Sequence, residues 1–129
     1  MLLNISPRSA QTLQEQIIEQ IRTRILRGEL EPDQALASIR ALSKGLKVGV
    51  NTVQRAYEHL LREELIYARP GKGFFVAPLK PLDIAELTRQ RFSEALQDLL
   101  TTARREGMSD TEMKQIFERM RTDGEDHDD

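Results

Sequence analysis

Residues 36–76 read LASIRALSKGLKVGVNTVQRAYEHLLREELIYARPGKGFFV. Ser38 suits the N-cap of a short helix carrying Ile39, Leu42 and Leu46, with Arg40 on the polar side of its first turn. Lys47-Val48-Gly49 reads as a turn. A longer helix is predicted over about residues 50–63. Val53, Ala56, Tyr57, Leu60 and Leu61 share one face, and Asn51, Gln54, Arg55, Glu58 and Arg62 lie opposite. Leu65-Ile66-Tyr67-Ala68 and Phe74-Phe75-Val76-Ala77 are short β-prone runs. Arg69-Pro70-Gly71-Lys72-Gly73 between them has the composition of a turn. A hairpin with Lys72 near its tip follows, and the flanking glycines permit close approach to another surface. A helix-turn-helix followed by a basic hairpin fits the grooves of duplex DNA.

Upstream, Thr12 and Glu15 form a T-x-x-E capping box before Leu13, Ile17, Ile18, Ile21, Ile25 and Leu26, which recur at helical spacing. They predict a helix over about residues 11–27, ended by Gly28, with Arg22, Arg24 and Arg27 near its C-terminal pole. Residues 29–34 read as a turn-rich connector. Downstream, Pro78 and Pro81 mark a boundary. Ile84, Leu87, Phe92, Ala95, Leu96, Leu99 and Leu100 predict a helix over about 83–105, and Gly107 breaks it. Ser109 and Glu112 form a second capping box, opening a helix over about 110–121 with Met113, Ile116, Phe117 and Met120. Two short helices bury little core of their own, so their apolar stripes need a partner, and a second copy of the chain is the simplest one. The acidic residues 123–129 are expected to be disordered.

The expected fold is mainly α with a small β-hairpin. A winged helix-turn-helix domain occupies residues 1–78, a two-helix dimerisation region 79–122 and an acidic tail 123–129.

The chain has 129 residues, 39% hydrophobic and 31% charged, with neither Trp nor Cys, so the core must be aliphatic and thiol chemistry is excluded. The net charge of -2 conceals a split: residues 1–82 hold 12 Lys and Arg against 8 Asp and Glu, whereas residues 83–129 hold 7 against 13. A basic half and an acidic half imply separate tasks. No apolar run approaches the ~18 residues of a membrane span, and no signal-peptide pattern opens the chain. A cytoplasmic protein without membrane contact is expected.

Major-groove base edges present donors and acceptors that Asn, Gln, Arg and Thr can match. Asn51, Thr52, Gln54 and Arg55 are such side chains at the start of a helix, while Arg40 and Lys72 suit phosphate or a neighbouring groove. Taken singly, each reads as an ordinary solvated residue; their joint placement favours double-stranded DNA. His59 and His127 make a poor metal inventory, and no phosphate-loop, nucleophile-elbow or zinc-protease motif occurs. Neither metal, cofactor nor enzymatic activity is expected.

Residues 10–77 resemble the winged-helix domain of the GntR family of bacterial transcription regulators. The matching pieces are Gln16-Ile17 through Ile25-Leu26-Arg27-Gly28-Glu29-Leu30, Leu36 through Leu42, Val48 through Tyr57, and Leu65-Ile66-Tyr67 with Arg69 through Val76. Asn51-Thr52-Val53 with Ala56-Tyr57 and a short C-terminal region resembles the YtrA subfamily, whose members carry a small two-helix dimerisation region. The resemblance implies DNA contacts from Arg40, from Gly49, Val50, Asn51, Thr52 and Gln54, and from Gly71 and Lys72 at the wing; Ser38, Arg55 and Gly73 complete the expected DNA-binding set. The two-helix region implies a homodimer, and the apolar stripes of those helices put Ile84, Leu87, Phe92, Leu96, Leu99, Leu100, Met113, Ile116, Phe117 and Met120 at its expected interface. The resemblance also implies a repressor on a pseudo-palindromic operator, in a subfamily often linked to ABC-transporter genes.

Several positions depart from the family pattern. Val50 and Gln54 stand where many relatives have arginine, and Ala37 replaces a usual proline. Asp33, Lys47 and Glu64 stand where glycine is usual. The competing expectation is a protein–protein module in which Tyr57 and Leu61 are interface residues. A small-molecule effector of unknown identity is placed, as a hypothesis, near the junction set by Pro78 and Pro81.

Overall fold

A computed structural model describes residues 3–126. The elements run α1 (Leu13–Leu26), α2 (Ile39–Leu46), α3 (Val50–Arg62), β1 (Ile66–Arg69), β2 (Gly73–Val76), α4 (Pro81–Arg105) and α5 (Asp110–Asp126). The chain divides into two compact units after Ile84, six residues beyond the boundary expected from Pro78.

In the first unit, α1 begins at the expected capping box. The Thr12 hydroxyl accepts from Glu15 N at 3.1 Å, and the Glu15 carboxylate accepts from Thr12 N at 3.4 Å. Ile17, Ile21, Val53, Ala56, Tyr57 and Leu60 are fully buried where α1 packs on α3. Arg22 of α1 clamps the end of α3 through two bonds to Glu63, at 2.5 and 3.2 Å, and His59 lies 3.0 Å from the same carboxylate.

Two features of this unit escaped the sequence reading. Residues 4–6 run beside α1, tied by glutamine amides. Asn4 N donates to Gln20 Oε1 at 2.8 Å while Gln20 Nε2 donates to Asn4 O at 2.7 Å, and Gln16 pairs likewise with Ser6 at 2.7 and 2.8 Å. The stretch read as a plain connector also joins the wing. Asp33 N donates to Val76 O, Val76 N to Gln34 O and Leu36 N to Phe74 O, all at 2.8–2.9 Å, around an antiparallel bridge of Ala35 with Phe75.

The glycine-poor corners adopt the backbone that their family counterparts suggest. Asp33, Lys47 and Glu64 have φ of 65°, 58° and 60°, a left-handed region that costs a side chain roughly 1–2 kcal/mol. Asp33 offsets part of this by accepting from the Tyr67 hydroxyl at 2.7 Å. That bond, followed by desolvation, raises the Tyr67 phenol above its ordinary value.

In the second unit, Gly107 at φ 95° separates the helices, and the Ser109 hydroxyl accepts from Glu112 N at 3.2 Å. α5 continues to Asp126, so residues 123–126 are helical and not the start of a disordered tail. Asp123-Gly124 does not stop the helix, because one glycine costs only ~1 kcal/mol in a helix interior. Residues 127–129, His127 included, lie outside the described residues. α4 likewise starts two residues earlier than expected. Pro81 occupies its first position, where no N–H is needed, and Asp83 accepts from Lys80 N at 3.0 Å. Among the described residues no helix is long and apolar enough to cross a membrane, and no three His, Cys, Asp or Glu gather as metal ligands.

Candidate nucleic-acid interface

The geometry of α2 and α3 is fixed by short polar contacts around apolar packing. The Ser38 hydroxyl accepts from Ala41 N at 3.0 Å and starts α2. α2 ends on left-handed Lys47, and the turn is closed from inside: buried Ser43 donates its hydroxyl to Val48 O at 2.5 Å, while Val48 N donates back to Ser43 O at 3.1 Å. Ser43 was missed by the sequence reading because a serine in a short amphipathic helix gives no periodic signal.

α3 starts on Gly49, which offers no side-chain cap. Its first N–H groups therefore keep their capacity for an anion. Val50, Asn51, Gln54 and Arg55 are exposed on its first two turns, and Thr52 is half-buried. Gln54 Nε2 donates to Glu58 Oε1 at 3.2 Å. Arg40 is exposed in the first turn of α2.

The opposite face of α3 is core. Tyr57 is fully buried, donates its hydroxyl to Ala37 O at 2.6 Å and meets Phe74 of β2 edge-on at 5.0 Å. One side chain thus joins the entrance to α2, α3 itself and the wing. Burial pushes its phenol up to about 12. Tyr57 is consequently no docking residue, which removes one of the two side chains expected at the interface of a protein–protein module; the other, Leu61, is half-buried.

The wing pairs Ile66 with Val76, Tyr67 with Phe75, Ala68 with Phe74 and Arg69 with Gly73. Lys72 N donates to Arg69 O at 2.9 Å, closing a turn with Pro70 second and Gly71, at φ 75°, third. Those are the positions at which a type II turn favours Pro and requires positive φ. Tyr67 stacks on Phe75, and the Arg69 guanidinium lies 5.6 Å from the Phe75 ring centre. This leaves Gly71 and Lys72 exposed at the tip and Gly73 half-buried. The sequence-predicted contact residues thus lie on three elements of one unit, tied together by Tyr57.

The model of the bacterial regulatory proteins of the gntR family matches residues 13–76. Over a longer stretch of 107 residues, the chain is 31% identical to the HTH-type transcriptional repressor YtrA of Bacillus subtilis, covering 83% of this chain and 82% of that one. The chain belongs to the GntR family. It is a DNA-binding transcription regulator of YtrA-like organisation, not an enzyme. Among solved structures, YtrA from Sulfolobus acidocaldarius, a GntR-family transcription factor, is 27% identical with a TM-score of 0.61, covering 94% of this chain and 97% of that one. The DNA-binding domain of AraR in complex with operator ORE1 is 26% identical with a TM-score of 0.50, covering 60% of this chain and 94% of that one.

The second unit of this GntR-family chain carries the residues expected at a dimer interface. α4 buries none of its residues; Phe92 is 59% exposed and Leu99 69%. On α5, Phe117 is 47% exposed and Met120 65%. Leu87, Leu96, Leu100, Met113 and Ile116 are half-buried, as is Ile84 at the end of the first unit. Leu96, Leu100, Met113 and Phe117 line an open groove of about 330 Å³ rimmed by Arg104, Asp110 and Lys114.

Proposed function

We propose that this regulator is a homodimeric repressor of a pseudo-palindromic operator. The observation that carries the reading is the division of α3 into two faces. Val53, Ala56, Tyr57 and Leu60 lock it into the core, while Val50, Asn51, Gln54 and Arg55 on its first two turns face solvent. The start of a recognition helix is where base edges are read. Arg40, Lys72 and the uncapped N–H groups of α3 supply phosphate contacts, with Ser38, Gly49, Thr52, Gly71 and Gly73 fixing close backbone approach. Phosphate contacts set affinity and salt sensitivity, and base contacts set sequence choice.

The apolar residues left exposed on α4 and α5 support pairing with a second copy. Two-fold symmetry in the protein then implies two-fold symmetry in the operator. Repression is supported by the likeness to the Bacillus repressor YtrA, and regulation of an ABC-transporter operon by the subfamily resemblance. A cytoplasmic location follows from that role. An effector site finds support in an apolar cleft of about 240 Å³ lined by Ile25, Leu30, Val76, Leu79, Pro81 and Ile84.

The test is selection of bound sequences from random duplex DNA, with affinity then measured across salt concentrations. Enrichment of inverted repeats with a steep salt dependence is expected. Binding without sequence enrichment, or a monomer in solution at operator-binding concentrations, refutes the reading.

A further inference from the structure

We infer that the first two turns of α3 select A·T base pairs, Val50 by packing on a thymine methyl and Gln54, oriented by Glu58, by pairing with adenine. The inference rests on the DNA-binding reading of α3 and deepens it by naming the bases. Val50, Gln54 and Glu58 are spaced four residues apart and form one stripe along the helix.

Val50 is 46% exposed, whereas Val53 of the same turn is fully buried and supplies the core contact. A branched apolar side chain left in water at the tip of this helix offers neither donor nor acceptor. On a major-groove edge the apolar group it can match is the thymine C5 methyl.

Gln54 carries the second half of the argument. Its Nε2 donates to Glu58 Oε1 at 3.2 Å. An ionised carboxylate only accepts, so this contact fixes which way round the amide lies. One N–H of Nε2 and the Oε1 acceptor remain, side by side. Adenine presents the complement, an N7 acceptor beside an N6 donor. Guanine presents two acceptors, which would set O6 against Oε1, and cytosine presents a donor alone. Glu58 is thus a positioning residue: it holds Gln54 in the orientation that prefers adenine.

The experiment starts from the full chain and the half-site enriched from a random duplex library. Each thymine of the half-site is replaced by deoxyuridine, which removes only the methyl group. One replacement should weaken wild-type binding about fourfold, the worth of one buried methyl, and leave Val50→Ala indifferent. At one adenine, Gln54→Ala should lower the preference for A·T about tenfold, and Glu58→Ala should lower it in part. All three side chains are exposed or project from an exposed helix face, so the variants keep the fold, which circular dichroism checks.

Wild-type affinity unchanged by uracil at every thymine overturns the Val50 assignment. A Gln54→Ala loss that is equal for all four base pairs at every position overturns the Gln54 assignment. A Glu58→Ala variant that loses a preference for C·G instead assigns Glu58 to cytosine and overturns its positioning role. In all three cases DNA binding itself stands. A library that yields no enriched duplex overturns the DNA reading of α3 and this inference with it.

Discussion

Tyr57→Phe removes one oxygen and leaves the ring packed. The lost contact is the 2.6 Å bond to Ala37 O. Ala37 is half-buried, so water can replace the hydroxyl at its carbonyl, and the cost should be that of an ordinary hydrogen bond, about 1 kcal/mol. In a domain of this size that lowers Tm by roughly 4–8 °C. The pH dependence is the sharper test. The unfolded phenol ionises at 10.0 and the folded one at about 12, so the folded state keeps its proton across that interval. This contribution is complete below pH 10 and is lost as pH rises toward 12, removing roughly 2–3 kcal/mol from the wild type. The variant has no such group. Its deficit of about 1 kcal/mol should therefore shrink above pH 10 and vanish between about pH 10.5 and 11. Urea unfolding of both proteins at stepped alkaline pH, followed by circular dichroism, measures the gap. A gap that stays constant from pH 8 to 11 would refute the claim that Tyr57 is a desolvated phenol at the junction of α2, α3 and the wing.

Other expectations follow from single contacts. Arg40→Ala and Lys72→Ala should leave thermal unfolding unchanged while weakening operator binding, each reducing the salt slope by about 1 if it loses one phosphate; fluorescence anisotropy across salt concentrations reads this. Glu64→Gly and Lys47→Gly relieve left-handed backbone and should each stabilise by roughly 0.5–1 kcal/mol, whereas Asp33→Gly also loses the Tyr67 bond and should gain less by the same urea titration. Arg22→Ala breaks the clamp on Glu63, whose side chain is 25% exposed. His59 remains beside that carboxylate, so the loss should be about 1–2 kcal/mol, below that of a fully buried pair. Phe92→Asp or Leu99→Asp should yield a folded monomer by light scattering, with operator affinity falling with it.

The helices and hairpin were legible because each is announced by a local rule. Thr12 and Glu15 bracket a helix start, Ser38 caps the next, and Pro70-Gly71 can build only a few turns. Where recognition is non-local the sequence was silent. Ala35 sits in a segment with no alternation, yet it bridges Phe75, since a short strand partner needs only backbone. Ser43 closes the turn between α2 and α3 through a carbonyl five residues on, which periodicity cannot report. The run Asp123-Gly124-Glu125 looked like a tail because composition outweighed the helix that precedes it. Among the candidate DNA contacts, the residue types were readable but their states were not. The spacing of four put Gln54 beside Glu58, but it did not say that the amide would donate to that carboxylate, or that Thr52 would be half-buried beside exposed Asn51.

The amide pairs that hold residues 4–6 against α1 have a consequence for how this segment tolerates change. Gln16 and Gln20 each meet the N–H and the C=O of one residue, as a neighbouring strand would, so these four bonds do not draw on the side chains at positions 4 and 6. For those bonds any residue that keeps its N–H should serve, and proline is barred, while the Ser6 hydroxyl adds a separate bond from Arg8 N at 3.3 Å. On the helix side, shortening either glutamine by one methylene would pull both of its bonds to the segment apart together.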